Sequence, residues 1–273
     1  MPLAEAVATL RERVRRFPDA IVQALALLEL AGGLGDRALV LEAAEAAVGG
    51  LARIPDAILR AELLDRLLES VETATDPRDG ERLLELASEV ANTPEGRVRR
   101  QLALGDWMSR QGRIEDAVEA WATILESTAL AKVVIEADAD VVTTGGGFAR
   151  SRILASQRST PSVRTLLDRR GMYLFEGMLA QRGTAEDFIS VVRRFPGTRG
   201  ALRAGRRAIE ILRDEGRPLE AAAVARIVAR DLNPRDPRLT ELLDFTSAIA
   251  LEAGRPSLAK ALDPTALDAG EVM

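Results

Sequence analysis

Three carboxylates in one short segment are the residues of this chain best suited to binding a metal ion. Glu136, Asp138 and Asp140 lie between two Val-rich runs, a pattern that predicts a small β-hairpin with an acidic turn. Hard cations such as Ca²⁺ bind several oxygen ligands, so these side chains form a candidate calcium site. The segment lacks the glycine and the terminal bidentate glutamate of an EF-hand loop. We therefore expect a solvated turn here.

Three consecutive glycines follow the hairpin and could bind phosphate. Gly145, Gly146 and Gly147 could form a nest of backbone N–H groups of the kind that cradles phosphate. A P-loop also needs a Gly-Lys pair followed by Ser or Thr, and no such motif follows these glycines. The pattern favours a flexible hinge.

Two missing residue types limit the possible catalysis. The chain contains no histidine and no cysteine, which excludes serine–histidine and cysteine–histidine catalysis as well as imidazole and thiolate metal ligands. Carboxylate, lysine and tyrosine chemistry stays open, so an all-α lyase or hydrolase that uses two facing acids is one hypothesis. Most acids, however, alternate with arginines on predicted helix faces. We predict no catalytic, cofactor-binding or metal-binding residue, and no cofactor.

Charge bears on the class of partner. The formal net charge is −5, whereas nucleic-acid binding needs a basic face, so we expect no nucleic-acid partner. Arginines do cluster on predicted helices beside acidic segments, which indicates solvated helix faces. The clusters are Arg11/Arg13/Arg15/Arg16, Arg97/Arg99/Arg100 and Arg203/Arg206/Arg207.

No targeting or membrane segment is recognisable. The first residues lack a basic region followed by an apolar stretch, and no apolar run is long enough to span a bilayer. The default expectation is a cytoplasmic protein without membrane insertion. A periplasmic location is the alternative if the sequence is a fragment of a longer chain.

The elements that carry these residues follow a repeat. Prolines recur at 18, 55, 94, 161, 196 and 234, so four of the five gaps are 35–39 residues long and the central gap of 67 is close to two such units. Proline is excluded from helix interiors but suits the first turn, so it separates one unit from the next. A fixed period of this length is typical of a solenoid. Apolar residues make up 47% of the chain and aromatic residues only 3%, which favours many thin Ala/Leu interfaces over one large core.

Apolar periodicity predicts helix pairs within each unit. Asp76-Pro77, Thr93-Pro94, Thr160-Pro161 and Asp236-Pro237 are expected to be helix-start signals. The predicted pairs are 19–31/36–52, 56–73/78–91, 95–111/114–129, 162–182/185–194, 198–215/218–231 and 237–253/256–262.

One segment resembles a tetratricopeptide (TPR) repeat. In residues 104–121, Leu104, Gly105 and Met108 fill first-helix positions, Gly112 the turn, and Ala117 with Trp121 the Ala-x-x-x-aromatic positions of the second helix. Residues 209–225 match in part, with Gly216 and Ala221 in place and Ala225 instead of the aromatic residue. The resemblance implies stacked antiparallel helix pairs that bind a protein or peptide.

The aromatic and amide residues are further candidates for binding a partner. Trp107 and Trp121 lie at repeat packing positions, so we expect both in the core. Tyr173 and Phe175 are expected to anchor the helix after the insert. The TPR subclass that binds a peptide carboxylate uses Lys, Asn and Arg on its inner face, but the only asparagines here, Asn92 and Asn233, lie near unit ends.

A fainter resemblance concerns segment order. A helical pair, a Val-rich insert, the helix at 166–173 and the Val-Val-Arg-Arg-Phe-Pro run at 191–196 are similar to helical segments of bacterial proteins that carry PQQ-type β-propellers. This resemblance implies a helical companion module of a larger propeller protein, without a quinone site of its own.

The sequence therefore predicts an all-α solenoid of TPR-like antiparallel helix pairs with one small β-hairpin insert. Its segments are helical repeats at 1–129, the insert and a short helix at 130–160, further repeats at 161–262 and a disordered tail at 263–273. The predicted function is a non-catalytic scaffold for a protein or peptide partner, whose contact residues the sequence does not specify.

Overall fold

A computed structural model describes residues 3–17, 19–53, 56–138, 141–232, 237–260 and 262 of the 273-residue chain. Within these ranges the chain forms fifteen helices and one two-stranded sheet. It divides into two compact units, Met1–Ala149 and Arg150–Met273. The predicted fold class, an all-α array of antiparallel helix pairs with one small hairpin insert, is confirmed. The predicted segment limits stay a prediction, and the tail at 263–273 lies outside the described residues.

The first unit consists of a lone helix, three helix pairs and the insert. The lone helix is α1 (Leu3–Arg16), and the pairs are α2 (Ile21–Leu34) with α3 (Arg37–Arg53), α4 (Ala57–Thr73) with α5 (Pro77–Val90), and α6 (Pro94–Arg110) with α7 (Ile114–Glu126). These bounds agree with the predicted pairs to within three residues at each end. The first helices α2, α4 and α6 pack side by side, and α3 packs on α5.

Two tryptophans fill the interfaces of the last helices in this unit. Trp107 on α6 packs over Gly80 on α5, and Trp121 on α7 packs over Gly105 on α6. A Cβ atom at either glycine would lie 2.2 Å from the facing indole, so a larger residue would force the helices apart. Both indoles are 2% exposed, which confirms that they belong to the core.

Arginine–carboxylate pairs join helices of successive pairs in the first unit. Their partners lie 31 to 42 positions apart, close to one repeat length. Because the side chains are largely exposed, each pair adds little stability by itself. The pairs are Arg11–Glu42 at 2.5 Å, Arg66–Glu29 at 3.3 Å, Arg37–Asp79 at 2.6 Å, Arg82–Glu45 at 2.9 Å, Arg99–Asp65 at 2.5 Å and Arg113–Glu81 at 3.1 Å.

The insert contains the predicted hairpin, but the predicted glycine hinge is wrong. A short helix, α8 (Thr128–Ala131), leads into strands β1 (Val134–Asp138) and β2 (Val141–Thr144), which pair antiparallel. The glycines 145–147 form the first turn of α9 (Gly145–Ser159). Gly147 N–H donates to the Thr144 hydroxyl at 3.1 Å, which is a helix cap. Gly145 N–H donates to the Val133 carbonyl at 2.8 Å, so these glycines are fixed in place.

The second unit contains most of α9 and three helix pairs. They are α10 (Pro161–Ala180) with α11 (Ala185–Arg194), α12 (Arg199–Asp214) with α13 (Pro218–Asp231), and α14 (Pro237–Glu252) with α15 (Pro256–Lys260). Helix α12 packs on α10, α11, α13 and α14 and is the centre of this unit. A Cβ atom at Gly200 would lie 2.2 Å from the Gly171 carbonyl carbon, so α10 and α12 approach each other closely at a pair of glycines.

A buried ion pair holds α9 to the end of α13. Arg150 binds Asp231 in a bidentate arrangement, with Nε–Oδ1 at 2.6 Å and Nη2–Oδ2 at 2.7 Å. The two side chains are 10% and 3% exposed. Burial raises the pKa of the Asp231 carboxyl, while the charge of Arg150 acts in the opposite direction. The carboxylate is therefore costly to bury and depends on its arginine.

The predicted helix-start signals are confirmed in part. Asp76 and Thr93 cap α5 and α6 through side-chain hydrogen bonds. Thr160 precedes Pro161 but makes no capping hydrogen bond. Pro196 lies in the turn before α12, where Thr198 is the cap, so it does not begin a helix. Asp236 and the prolines at 18, 55 and 234 lie outside the described residues.

None of the helices in the described ranges is long and apolar enough to cross a membrane.

Candidate functional site

The predicted calcium ligands fall mostly outside the described part of the chain. Asp140 is not described, and neither are the side chains of Glu136 and Asp138, whose backbones lie in β1. The expectation of a solvated acidic turn therefore stays a prediction. In the ranges that the structure does describe, no group of three or more acidic side chains could hold a metal ion.

The structure confirms the expected position of some aromatic and amide candidates and not of others. Phe175 packs against Phe188 with ring centroids 5.9 Å apart, so it does anchor α10 to α11. Tyr173 is 76% exposed, so the expectation that it anchors the helix is wrong. Tyr173 is two positions from Phe175, which is about 200° around the helix axis, so it lies on the opposite, outward side. Asn92 is exposed between α5 and α6, and Asn233 lies outside the described residues.

A groove between α12 and α14 is the strongest candidate site. It has a volume of about 350 Å³ and lies between the first helices of two successive pairs. Its floor is apolar, and its rim is charged. The floor is made of Leu202, Leu242 and Phe245, and the rim of Arg199, Arg203, Arg206, Arg238 and Glu241. We call it the basic groove, because four arginines line it against one glutamate.

The sequence of α12 places three of these arginines on one face. Arg199, Arg203 and Arg206 are spaced by four and three residues, so they stack along the groove over about two helical turns. Within the described ranges, no carboxylate pairs with the guanidinium of Arg199 or Arg203. The first turn of α12 also lacks an acidic residue. An acid from another helix lies there instead, because the Arg199 backbone N–H donates to the Asp168 carboxylate of α10 at 2.7 Å, so the positive charge of the groove comes from its arginine side chains rather than from the helix dipole.

One groove arginine is held against the floor. The Arg206 guanidinium carbon lies 5.5 Å from the Phe245 ring centroid, a cation–π geometry. Arg206 also lies 3.6 Å from the carboxylate of Glu210. Arg207, on the neighbouring face of α12, pairs with the same carboxylate at 3.0 Å. The Arg206 side chain is thus oriented before any ligand arrives.

The first unit has a groove in the corresponding place. It lies between α4 and α6, has a volume of about 330 Å³ and has Leu64 and Val90 among its apolar lining. We call it the balanced groove, because its charged lining residues are two acids, Asp56 and Glu95, and two arginines, Arg60 and Arg99. Asp56 caps α4.

Both arginines of the balanced groove are bound to other groups of the first unit. Arg99 pairs with Asp65 at 2.5 Å, and Arg60 donates to the Val90 carbonyl at 3.4 Å. The two grooves are thus alike in volume and in position within their units, but one is balanced in charge and the other is basic.

Sequence reasoning found the groove residues only in part. The sequence pattern places Arg203 and Arg206 with Arg207 on a solvated helix face, and all three are exposed. Arg199 and Arg238 were assigned to no cluster. The spacing of Arg199, Arg203 and Arg206 shows in the sequence that they share one helix face. The groove itself forms only because α14 packs beside α12, and the spacing does not reveal that contact.

The interpretation of a fully solvated face is wrong for one residue of the cluster at 97–100. Arg100 is half-buried on α6, and its buried Nε atom has no hydrogen-bond partner in the described ranges. Burial lowers the pKa of this arginine. The helix face that carries Arg100 packs against the body of the first unit, which the alternation of charged residues in the sequence does not reveal.

Comparisons with known proteins add little to this picture. No protein-family model matches the chain, and no curated protein matches it. Among solved structures, the chain is similar to a "Circular tandem repeat protein with novel repeat topology and enhanced subunit contact surfaces", at 14% identity and a TM-score of 0.29. The match covers 98% of this chain and spans 63% of that protein.

Proposed function

We propose that this chain is a non-catalytic helical-repeat scaffold that binds a protein or peptide partner. The observation that carries the proposal is the presence, in each unit, of an open groove between the first helices of successive pairs. Each groove combines an apolar floor with a charged rim. A floor and rim of this kind suit the side chains of a peptide segment laid along the helices.

The proposal extends to a TPR-like arrangement of the helix pairs. Its support is the packing of small residues against large ones at the matched positions. Ala117 is fully buried, and Gly105 lies under the Trp121 indole. In the second unit, Gly205 lies under Val228, and Ala221 and Ala225 are fully buried. The resemblance to helical segments of PQQ-type propeller proteins, and the cytoplasmic location, stay predictions.

The use of acidic residues supports a role without catalysis. A carboxylate that acts as general acid or base must face a substrate pocket beside a second acid. Five acids of the first unit instead bind arginines of a neighbouring helix pair: Glu29, Glu45, Asp65, Asp79 and Glu81. These acids serve the packing of the repeat, and we propose that the chain has no catalytic or metal site of its own.

Proximity crosslinking in intact cells tests the scaffold role. We expect the wild-type chain to capture a reproducible partner and a chain lacking residues 198–231 to lose it. Single Asp or Glu to Ala changes should leave capture nearly intact, because binding spreads over several repeats. Circular dichroism of the purified deletion variant provides the control for folding. The proposal fails if the purified protein turns over a small substrate and one Asp or Glu change removes that activity.

A further inference from the structure

We infer that the basic groove binds an acidic segment of a partner protein in which carboxylates alternate with apolar side chains. The inference rests on the proposed scaffold function and specifies its contact surface. It is carried by the chemistry of the groove, where exposed arginines stand above an apolar floor.

The charges of the groove select an anionic ligand. The side chains of Arg199 and Arg203 are exposed, and within the described ranges no carboxylate pairs with either guanidinium, although the Arg199 backbone N–H donates to the Asp168 carboxylate at 2.7 Å. The chain as a whole carries a net charge of −5, so the positive charge of the groove is opposite in sign to the net charge of the protein. Guanidinium groups bind carboxylates through two parallel hydrogen bonds, which gives arginine a geometric preference for this partner.

The apolar floor selects a peptide over a small anion. Leu202 and Phe245 are half-buried and keep part of their surface open between the helices, so the groove offers apolar contact that phosphate or sulfate could not use. The apolar face of a nucleobase could stack on Phe245, but the groove offers one such ring among aliphatic residues. A peptide with apolar side chains uses the whole floor.

The length of the arginine row fits an extended segment. Seven residues separate Arg199 from Arg206, which corresponds to about 10 Å along α12. An extended peptide advances about 3.3 Å per residue, and alternate side chains point to opposite sides. About four residues therefore span the row. Carboxylates at alternate positions would face the arginines, and the apolar residues between them would face Leu202, Leu242 and Phe245.

A direct test uses purified protein and a fluorescein-labelled, acetylated and amidated peptide of alternating Glu and Leu, measured by fluorescence anisotropy. We expect the wild-type chain to bind it and the double variant Arg199→Gln/Arg203→Gln to bind about ten- to a hundredfold more weakly. The matched control, Arg207→Gln/Arg213→Gln, removes two charges from the same helix outside the groove. It should change affinity less than about threefold, because screened charges at this distance contribute little.

Altered peptides separate the roles of charge and apolar contact. Replacing every Glu by Gln, or every Leu by Ser, should weaken binding to the wild-type chain by about tenfold or more. A Lys/Leu peptide should not bind, and this arm holds even if a protein variant folds poorly. Binding of the Glu/Leu peptide should also weaken as NaCl rises from about 50 to 300 mM.

Four outcomes would overturn the inference. The first is that the Glu/Leu peptide does not bind, and the second is that both double variants lose the same amount of peptide affinity. The third is that inorganic phosphate or a single-stranded oligonucleotide competes for the groove as strongly as the peptide does. The fourth is that the wild-type chain self-associates and the groove variant does not. The first three leave the scaffold function standing if crosslinked partners are still captured. Loss of all crosslinked partners would instead remove the scaffold function, whatever the peptide affinity.

Discussion

The balanced groove and the basic groove occupy corresponding places in the two units, yet they use arginine differently. In the balanced groove, Arg99 is bound to Asp65 and Arg60 to a backbone carbonyl. In the basic groove, the guanidinium groups of Arg199 and Arg203 have no carboxylate partner within the described ranges. A repeated architecture thus supplies the same surface twice, and the charges placed on it decide whether that surface serves packing or is available for a ligand.

The two units also differ in what holds their helices together. Exposed ion pairs link successive repeats in the first unit, whereas the second unit contains a buried pair, Arg150 with Asp231. A buried carboxylate that loses its arginine stays uncompensated, whereas an exposed one is solvated by water. The comparison therefore predicts a clear order of mutational effects.

The largest effect should come from Arg150→Met. We expect it to destabilise the chain by about 3–5 kcal/mol, because it leaves the Asp231 carboxylate buried without its partner. Urea unfolding followed by circular dichroism measures this. The double variant Arg150→Met/Asp231→Leu should recover most of the loss, since an apolar pair of similar size carries no desolvation cost. Equal losses in the single and double variants would contradict the role of the ion pair.

Ala117→Leu should have the next largest effect. It forces a larger side chain into a contact that is already fully buried, at a cost of about 1–3 kcal/mol. Gly49→Ala in α3 is the matched control, because no atom lies within 4 Å of the position a Cβ would take. That change should be neutral or stabilise the helix by up to about 1 kcal/mol. Thermal melts that showed no loss of stability for Ala117→Leu would contradict the proposed packing of this helix pair.

Removing an exposed pair of the first unit should have the smallest effect. We expect Arg99→Gln to change the free energy of unfolding by less than about 1 kcal/mol, and less still at high salt. The measurement is urea unfolding at low and high NaCl, side by side with Arg150→Met. A loss as large as that of Arg150→Met would end the distinction between the two units.

The sequence predicted the helices well because their signals are local. Apolar periodicity, Asp76 and Thr93 caps and helix-breaking turns all lie within a few residues of the element that they define. The glycines at 145–147 favour a hinge by sequence alone, yet they form the first turn of α9. Glycine disfavours helix, but the Thr144 cap and the hydrogen bond from Gly145 N–H to Val133 decide its conformation. The second of these contacts depends on the fold around the turn.

The buried ion pair and the candidate site were less predictable, because each depends on residues that are far apart in the sequence. Arg150 and Asp231 are 81 positions apart, and nothing near either residue indicates the other. The basic groove likewise needs Phe245 of α14 beside Arg206 of α12. The pattern of arginines along α12 identified an exposed face. Only the packing of the next pair turned that face into a groove.

The most direct test of the account removes two arginines from each groove in turn. Proximity crosslinking in intact cells would compare the wild-type chain with Arg199→Gln/Arg203→Gln and with Arg60→Gln/Arg99→Gln, after circular dichroism has shown equal helicity. Both double variants lose the same charge. We predict that only the first loses the crosslinked partner, because within the described ranges the guanidinium groups of Arg199 and Arg203 have no carboxylate partner, whereas Arg60 and Arg99 are bound to other groups. Retention of the partner by the first variant, or its loss from both variants alike, would contradict the claim that the basic groove is the binding surface.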